Sequence, residues 1–229
     1  MGHNITSFID DTLMYSKSLA GCYDCMHDTI NVLTNLGFCI NEEKSVLTPT
    51  KSIEYLGNII DSDNMIVILP EHRKEKILQH CSSLVKKRKE TIKGVARVIG
   101  LLVAAFPAVE MGKLHYRTLE RAKIEALAKE AGNFNKRMTI TDEMKTDLNW
   151  WINELATQDR KIFRNVPEVE LYMDASTLGW GACLSELTTN SKWSPKEKSL
   201  HINALELKAI FFALRSFAHL LGEQHISVV

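Results

Sequence analysis

Two adjacent carboxylates, Asp10 and Asp11, are the side chains in this sequence whose types and spacing best fit a chemical role. Ile5 with residues 7–9 predicts one strand, and residues 13–15 predict the returning strand of a hairpin, with the aspartates at or beside its turn. Paired acids at a hairpin tip repel each other, so either water or a hard divalent cation must compensate them. Mg²⁺ suits such a place, because it binds one or two carboxylates together with phosphate oxygens of a substrate. The pair alone leaves both alternatives open, since solvated aspartates are common in turns.

Two further acids lie in the C-terminal part of the chain. Residues 169–174 alternate as a half-buried strand does, which places Asp174 on the face opposite Leu171 and Met173. Glu206 lies near the start of a predicted long amphipathic helix. For Glu206 a purely structural role is open, because Asn203 and Glu206 have the spacing of a helix capping box. The apolar stripe of this helix is predicted from Leu207, Ile210, Phe211, Leu214, Phe217 and Leu221.

The remaining segments are predicted to be helices and strands that position these acids. A helix is expected over residues 22–36, with Gly37 at its C-terminal cap. Four helices follow between residues 70 and 155, the first opened by Pro70 and the second capped by Thr91 and stopped by Pro107. The third and fourth are predicted over residues 111–129 and 142–155, the fourth with Thr141 as its cap. Strands are expected over residues 179–184 and 225–229.

Composition limits the function classes only weakly. A hydrophobic content of 45% in 229 residues is ordinary for a globular protein with one large or two modest cores. No apolar run reaches the length of a membrane span, so no membrane partner is predicted. Five scattered cysteines favour a reduced intracellular setting, in the cytoplasm, the nucleus or both.

The formal net charge is zero, so any attraction to nucleic acid must be local. One basic cluster stands out, and Lys93 follows it closely. It is explained equally well as a phosphate-binding track and as a solvated linker face. Its residues are Lys86, Lys87, Arg88 and Lys89.

Several motifs together resemble known retroelement enzymes. The sequences FIDD (residues 8–11), LGFCIN (36–41), EKS (43–45) and IEYLGNIID (53–61) resemble, in this order, the C-terminal half of a reverse-transcriptase palm. The sequences YMDAS (172–176), GWGACL (179–184) and HINALELKAI (201–210) resemble the first half of a retroelement ribonuclease H domain. These motif sequences are most similar to those of retrotransposons of the tyrosine-recombinase (DIRS-like) type.

The resemblance implies an α+β fold in three parts. Residues 1–69 would be the C-terminal part of an incomplete palm, and residues 70–165 a helical thumb and connection segment. Residues 166–229 would be the N-terminal part of an incomplete ribonuclease H-like mixed α/β domain. The chain would then be an internal fragment of a retrotransposon pol polyprotein.

The implied chemistry is phosphodiester chemistry with two Mg²⁺ or Mn²⁺ ions about 4 Å apart. Asp10 and Asp11 would belong to the polymerase metal site, with Asp10 the more direct ligand. Asp174 and Glu206 match the first two acids of the ribonuclease H site. Lys44 stands where the family has a lysine suggested to protonate the leaving pyrophosphate, although a surface lysine explains it equally well.

Nucleic-acid contacts are implied at a second hairpin. Tyr55, Leu56 and Gly57 would lie in the primer grip, where Gly57 lets the backbone approach the primer closely. The alternative is simply a tight β-hairpin. The implied partners are an RNA template, a DNA primer and an RNA/DNA hybrid, and the oligomeric state is not predicted.

The ends of the sequence lead to an expectation about the isolated chain. It begins just before the first hairpin strand and ends on the strand predicted at residues 225–229. The resemblance places a further carboxylate of each site outside these limits, so we expect the isolated chain to have little or no polymerase or hybrid-cleaving activity. A non-catalytic nucleic-acid-binding protein derived from a retroelement is the alternative function.

Overall fold

The computed structural model describes residues 2–163, 166–222 and 224–229, and it divides into two compact units, Met1–Ile162 and Phe163–Val229. Within these residues it has six α-helices and several small sheets. This mixed architecture is consistent with the predicted α+β class. No helix among the described residues is long and apolar enough to cross a membrane.

The first unit begins with the predicted hairpin. Strands β1 (Asn4–Phe8) and β2 (Asp11–Tyr15) pair antiparallel, with Phe8 opposite Asp11. Helix α1 (Leu19–Asn35) follows and ends as predicted at Gly37, whose φ is +86°. The Gly37 and Phe38 N–H groups donate to the carbonyls of Thr34 and Leu33 in a Schellman motif, which satisfies the last carbonyls of the helix.

A second hairpin lies in a four-stranded sheet of order β3-β4-β5-β8. Its strands are β3 (Ser52–Tyr55), β4 (Asn58–Asp61) and β5 (Ile66–Ile68), joined by β8 (Arg160–Lys161), and all pairs are antiparallel. Tyr55 pairs with Asn58, so Leu56 and Gly57 form a two-residue loop. The tight hairpin expected around Gly57 is therefore present.

The helices of the first unit enclose its main core. They are α2 (Glu71–Val85), α3 (Ile92–Ala105), α4 (Arg117–Lys129) and α5 (Asp142–Glu154). A short ladder of β6 (Lys89–Thr91) and β7 (Arg137–Thr139) ties the start of α3 to the chain before α5. Thr91 and Thr141 are the N-caps of α3 and α5, as predicted, and Pro107 follows the end of α3.

The helix predicted over residues 111–129 is wrong in its first part. Residues Glu110–Leu114 form a 3₁₀ turn, and α4 begins only at Arg117. The buried Trp151 explains this break, because its indole Nε1–H donates to the His115 carbonyl at 2.8 Å. The ring also lies so close to Gly112 that a Cβ there would be 2.6 Å from it. The indole packing therefore takes the place of a continuous helix here.

The second unit is a four-stranded sheet covered on one face by one helix. Its strands are β9 (Val169–Ala175), β10 (Gly179–Leu184), β11 (Leu187–Lys192) and β12 (Ile226–Val228), in the order β11-β10-β9-β12. Helix α6 (Ile202–Leu221) connects β11 to β12, which runs parallel to β9. The strands at 169–174, 179–184 and 225–229 are thus found close to their predicted positions.

The predicted apolar stripe of α6 is rotated from the observed one. Leu207 and Phe211 are exposed, with 68% of the Leu207 surface open to solvent. The reason is that the helix approaches the sheet through small side chains at four-residue spacing, which lets its backbone lie close to β9 and β10. The buried face consists of Leu205, Ala209, Ala213, Phe217 and Leu221.

Candidate metal and nucleic-acid sites

Asp10 and Asp11 lie at the tip of the β1–β2 hairpin, where both are exposed. The two-residue loop between the paired Phe8 and Asp11 consists of Ile9 and Asp10. Of these two, only Ile9 has a positive φ, at +57°, as at the first central position of a type II′ turn, where glycine is normal. A β-branched residue in this conformation is strained by about 1–2 kcal/mol.

The electrostatics of this tip are unbalanced. Neither carboxylate has a hydrogen-bond or ion-pair partner among the described residues. Their oxygens are the hard donors that Mg²⁺ prefers, and both are open to solvent, so this donor set fits part of a magnesium site. Among residues 2–163, 166–222 and 224–229, no group of three or more metal-ligating side chains comes together.

The two hairpins of the first unit meet through one polar contact. The Tyr55 hydroxyl donates to the backbone carbonyl of Asp11 at 3.5 Å, at the long limit of a hydrogen bond. Tyr55 is the last residue of β3, and the predicted primer-grip residues Leu56 and Gly57 follow it directly. The structure thus brings together two segments that the sequence places more than 40 residues apart.

The Leu56–Gly57 loop has a structural anchor that the sequence does not reveal. Both residues have positive φ, +50° and +70°, as in a type I′ turn. The guanidinium of Arg73, on α2, donates from Nη1 to the Gly57 carbonyl and from Nη2 to the Ala104 carbonyl at 3.1 Å. A Cβ on Gly57 would lie 2.7 Å from Arg73 Nη1. The fold alone therefore favours glycine here, independently of any primer.

Asn58, directly after this loop, carries an unusual buried polar atom. Its side-chain N–H donates to the Leu56 carbonyl at 3.2 Å. Its Oδ1 is buried and has no partner in the described part of the chain. Buried polar atoms normally have a hydrogen-bond partner. Asn58 is therefore a further polar residue of this hairpin, and the sequence pattern did not identify it.

Lys44 lies in an exposed turn after α1. Its backbone N–H donates to the carbonyl and side-chain oxygens of Asn41, at 3.2 and 3.3 Å. The ammonium group has no partner among the described residues. Both explanations of Lys44, the proton donor and the surface lysine, stay predictions.

Asp174 and Glu206 lie on elements that share one corner of the second unit. Leu205 of α6 is buried in a cluster that includes Met173 and Ala175, the chain neighbours of Asp174. Asp174 alternates to the opposite, open face of the sheet, where Tyr172 and Asn190 also lie. Its Oδ1 accepts the Ala175 N–H at 2.8 Å. The elements are neighbours, but Asp174 lies on the sheet face turned away from α6, and no hydrogen-bond donor among the described residues is shared by the two carboxylates.

The capping-box explanation of Glu206 is wrong. The N-cap of α6 is His201, whose ring nitrogen accepts the Asn203 N–H at 3.3 Å. Asn203 therefore lies inside the first turn and cannot be the cap. Glu206 is exposed and has no side-chain partner among the described residues, which leaves its carboxylate free for another role.

The basic cluster is only partly available to a ligand. Lys86, Arg88 and Lys89 are exposed, but Lys87 forms an ion pair with Glu90. Hydrogen bonds from the Lys87 ammonium and the Thr91 N–H lower the pKa of Glu90 to about 2. Glu90 is therefore ionised at neutral pH and neutralises Lys87. Arg97, one helical turn after Lys93 on α3, was missed, although the four-residue spacing could have identified it.

The sequence matches no family model and no curated protein. Solved structures of the foamy viral protease-reverse transcriptase are similar over 98% of this chain. In complex with double-stranded DNA, the form designated dRH has a TM-score of 0.56 and 17% identity, and a second such complex 0.54 and 18%. A complex with an RNA/DNA hybrid has a TM-score of 0.56 and 16% identity.

This chain spans less than half of each of these proteins: 38% and 45% of the two in double-stranded DNA complexes, and 30% of the one in the hybrid complex. At such low identity the likeness concerns the fold. The chain therefore has a fold like that of these foamy viral protease-reverse transcriptase structures.

Proposed function

We propose that this chain is part of a retroelement RNA-directed DNA polymerase with an attached ribonuclease H. The observation that carries the proposal is the similarity of nearly the whole chain to the foamy viral protease-reverse transcriptase, at a TM-score of 0.56. The motifs at residues 8–61 and 172–210 support it from sequence, in the same order along the chain. The more specific assignment, a pol polyprotein of a DIRS-like retrotransposon, rests on the amino-acid sequences of those motifs alone.

The proposed parts follow the sequence boundaries. Residues 1–69 would contribute to the palm, residues 70–165 to the thumb and connection, and residues 166–229 to the ribonuclease H domain. The proposed ligands are an RNA template with a DNA primer and, for the second activity, an RNA/DNA hybrid. The foamy viral neighbours in complex with double-stranded DNA or RNA/DNA hybrid support this class of ligand.

Within this proposal the carboxylates hold metal. Asp10 and Asp11 would bind Mg²⁺ at the tip of the first hairpin, and Asp174 with Glu206 would do so in the second unit. Bound magnesium would supply Lewis-acid activation of the attacking oxygen and charge compensation for the leaving group. The chain's own part would be to present the two exposed carboxylates of the hairpin tip as hard oxygen ligands.

Hybrid binding in the presence and absence of Mg²⁺ tests the polymerase site. Fluorescence anisotropy with a labelled RNA/DNA hybrid should show tighter binding in Mg²⁺ than in EDTA, because an ion held by Asp10 and Asp11 would offset their repulsion of the phosphates. The double variant Asp10→Asn/Asp11→Asn should lose this increment. The matched control is Asp24→Asn, an exposed carboxylate on α1, which should keep it. Equal effects of Mg²⁺ on the wild type and on the double variant would contradict the metal role of the hairpin.

Non-catalytic nucleic-acid binding is the second candidate, favoured by the exposed basic residues 86, 88 and 89 and by the alternation of Asp174 away from α6. Primer extension and hybrid cleavage assays separate the two. We expect the isolated chain to bind hybrid in a salt-dependent way with little or no extension. Mg²⁺-dependent extension abolished by Asp10→Asn would instead show an active polymerase. A chain that binds no hybrid at low salt would contradict both candidates.

A further inference from the structure

One corner of the first unit combines two unpaired cations with an exposed aromatic ring. Lys93 and Arg97 are exposed on one face of α3, four residues apart. They line an open hollow of about 610 Å³ together with Ala96, Phe134 and Asn135.

Phe134 is held in this corner by the backbone. Its carbonyl accepts the Lys93 N–H at 2.9 Å, and the Lys136 carbonyl accepts the Ile92 N–H at 2.9 Å. These two bonds satisfy the first free N–H groups of α3 and continue the β6–β7 ladder. The Asn135 N–H donates to the Asn133 side chain at 3.0 Å, which closes the turn. The backbone that carries the ring is therefore held beside Lys93 before any ligand arrives.

The core does not explain the position of Phe134. Its surface is 45% exposed, and the ring makes no stacking or edge contact with another aromatic side chain of the described residues. A large apolar ring that stays half in water beside two cations has an open π face. An extended polyanion that carries flat aromatic rings can contact both the two cations and this π face.

The charge around the corner is positive. A second hollow, about 270 Å³, lies on the other side of Lys93 and Arg97 and includes His80, Lys87 and Glu90. Glu90 is the one acid among the residues that line the two hollows, and it is paired with Lys87. Lys93 and Arg97 have no ion-pair partner in the described part of the chain. The two cations thus form a ridge of positive charge between the hollows.

We propose that this corner binds an unpaired nucleotide of a single-stranded nucleic acid. Lys93 and Arg97 contact consecutive phosphates, and the base stacks on Phe134. A single strand is favoured over a duplex because every unpaired base offers a π face, whereas in a duplex these faces are covered by neighbouring bases. The inference extends the proposed function and shares with it the requirement for nucleic acid, but it does not involve the hairpin carboxylates.

The test compares single-stranded and hybrid ligands on the same protein. Anisotropy titrations use a labelled 12-nucleotide single strand and a labelled RNA/DNA hybrid, both in EDTA. Phe134→Ala should weaken single-strand binding by about 5- to 150-fold, the range expected for loss of one stacked base, and should leave hybrid binding unchanged. Phe134→Trp should keep single-strand binding, because an indole ring also stacks on a base. Lys93→Gln/Arg97→Gln should reduce the slope of log affinity against log salt by about 1.4 for the single strand.

The control variant is Phe163→Ala, an exposed phenylalanine that lines neither hollow, which should change neither affinity. Circular dichroism of every variant confirms the fold. If single-strand binding survives Phe134→Ala in a folded protein, or if both ligands weaken equally, the site is not a site for an unpaired base. The inference is then overturned while the proposed function stands. If the wild type binds neither ligand, the inference and the proposed function fail together.

Discussion

Replacement of Gly57 by alanine should destabilise the first unit by about 2–3 kcal/mol. Two separate effects contribute. A φ of +70° costs an L-residue about 1–2 kcal/mol. The added Cβ would also stand 2.7 Å from Arg73 Nη1, so the guanidinium must move away from the Gly57 carbonyl. Loss of that hydrogen bond adds about 1 kcal/mol.

Two other glycines separate these effects. Gly132 has a φ of +81° but open space around the Cβ position, so Gly132→Ala should cost only the backbone strain, about 1–2 kcal/mol. Gly100 lies inside α3 with open space and no positive φ, so Gly100→Ala should stabilise by up to about 1 kcal/mol. Urea unfolding followed by circular dichroism gives all three free energies of unfolding.

A double-mutant cycle with Arg73→Ala completes the argument. Without the guanidinium there is no collision, so Gly57→Ala should cost about 1 kcal/mol less in the Arg73→Ala background than in the wild type. A neutral effect of Gly57→Ala would refute the structural explanation of this glycine. An unchanged cost in the Arg73→Ala background would show that backbone strain alone accounts for it.

Three further predictions concern other elements. Ile9→Gly should stabilise the first hairpin by about 0.5–1 kcal/mol, because glycine accepts the positive φ without strain, and a lower melting temperature would contradict this. Glu90 has a folded pKa of about 2 against an ordinary value of 4.5, so its contribution to stability is present above pH 4.5 and is lost as the pH falls toward 2. The stability difference between wild type and Glu90→Gln should therefore shrink over that interval, as acid-dependent urea midpoints would show. In α6, Leu207→Lys should change the free energy of unfolding by less than about 0.5 kcal/mol, whereas Leu205→Lys should unfold the second unit. If thermal melts instead showed the larger effect for Leu207→Lys, the apolar stripe predicted from the sequence would be right.

Local signals in the sequence predicted the fold well where one or two residues decide the backbone. Thr91 and Thr141 were identified as N-caps and Gly37 as the end of α1, because each role depends on the residue's own chemistry. The alternation that places Asp174 opposite Leu171 is likewise local and is confirmed. Such features need no knowledge of distant partners.

The sequence predictions were wrong where a residue far away in the chain determines the local structure. The α6 stripe was assigned to the largest apolar residues, but the sheet is approached through Ala209 and Ala213, whose small size matters only once the sheet is in place. The break before α4 depends on Trp151, which is 36 residues away from the carbonyl it binds. Arg73 and Phe134 were missed for the same reason, since their contacts follow from the fold.

The tip of the first hairpin is hard to explain by stability alone. It places a β-branched Ile9 at a φ of +57° and two like charges, Asp10 and Asp11, side by side, with no compensating partner among the described residues. The second hairpin, by contrast, has Gly57 at the position with the larger positive φ and an arginine bound to its carbonyl. Strained residues tend to gather at functional sites, where the surrounding structure or a ligand maintains them. A divalent cation would relieve the charge repulsion between the two aspartates but not the backbone strain at Ile9. Ile9→Gly should therefore stabilise the hairpin both with and without Mg²⁺. The effect of Asp10→Asn on stability, by contrast, should depend on whether Mg²⁺ is present.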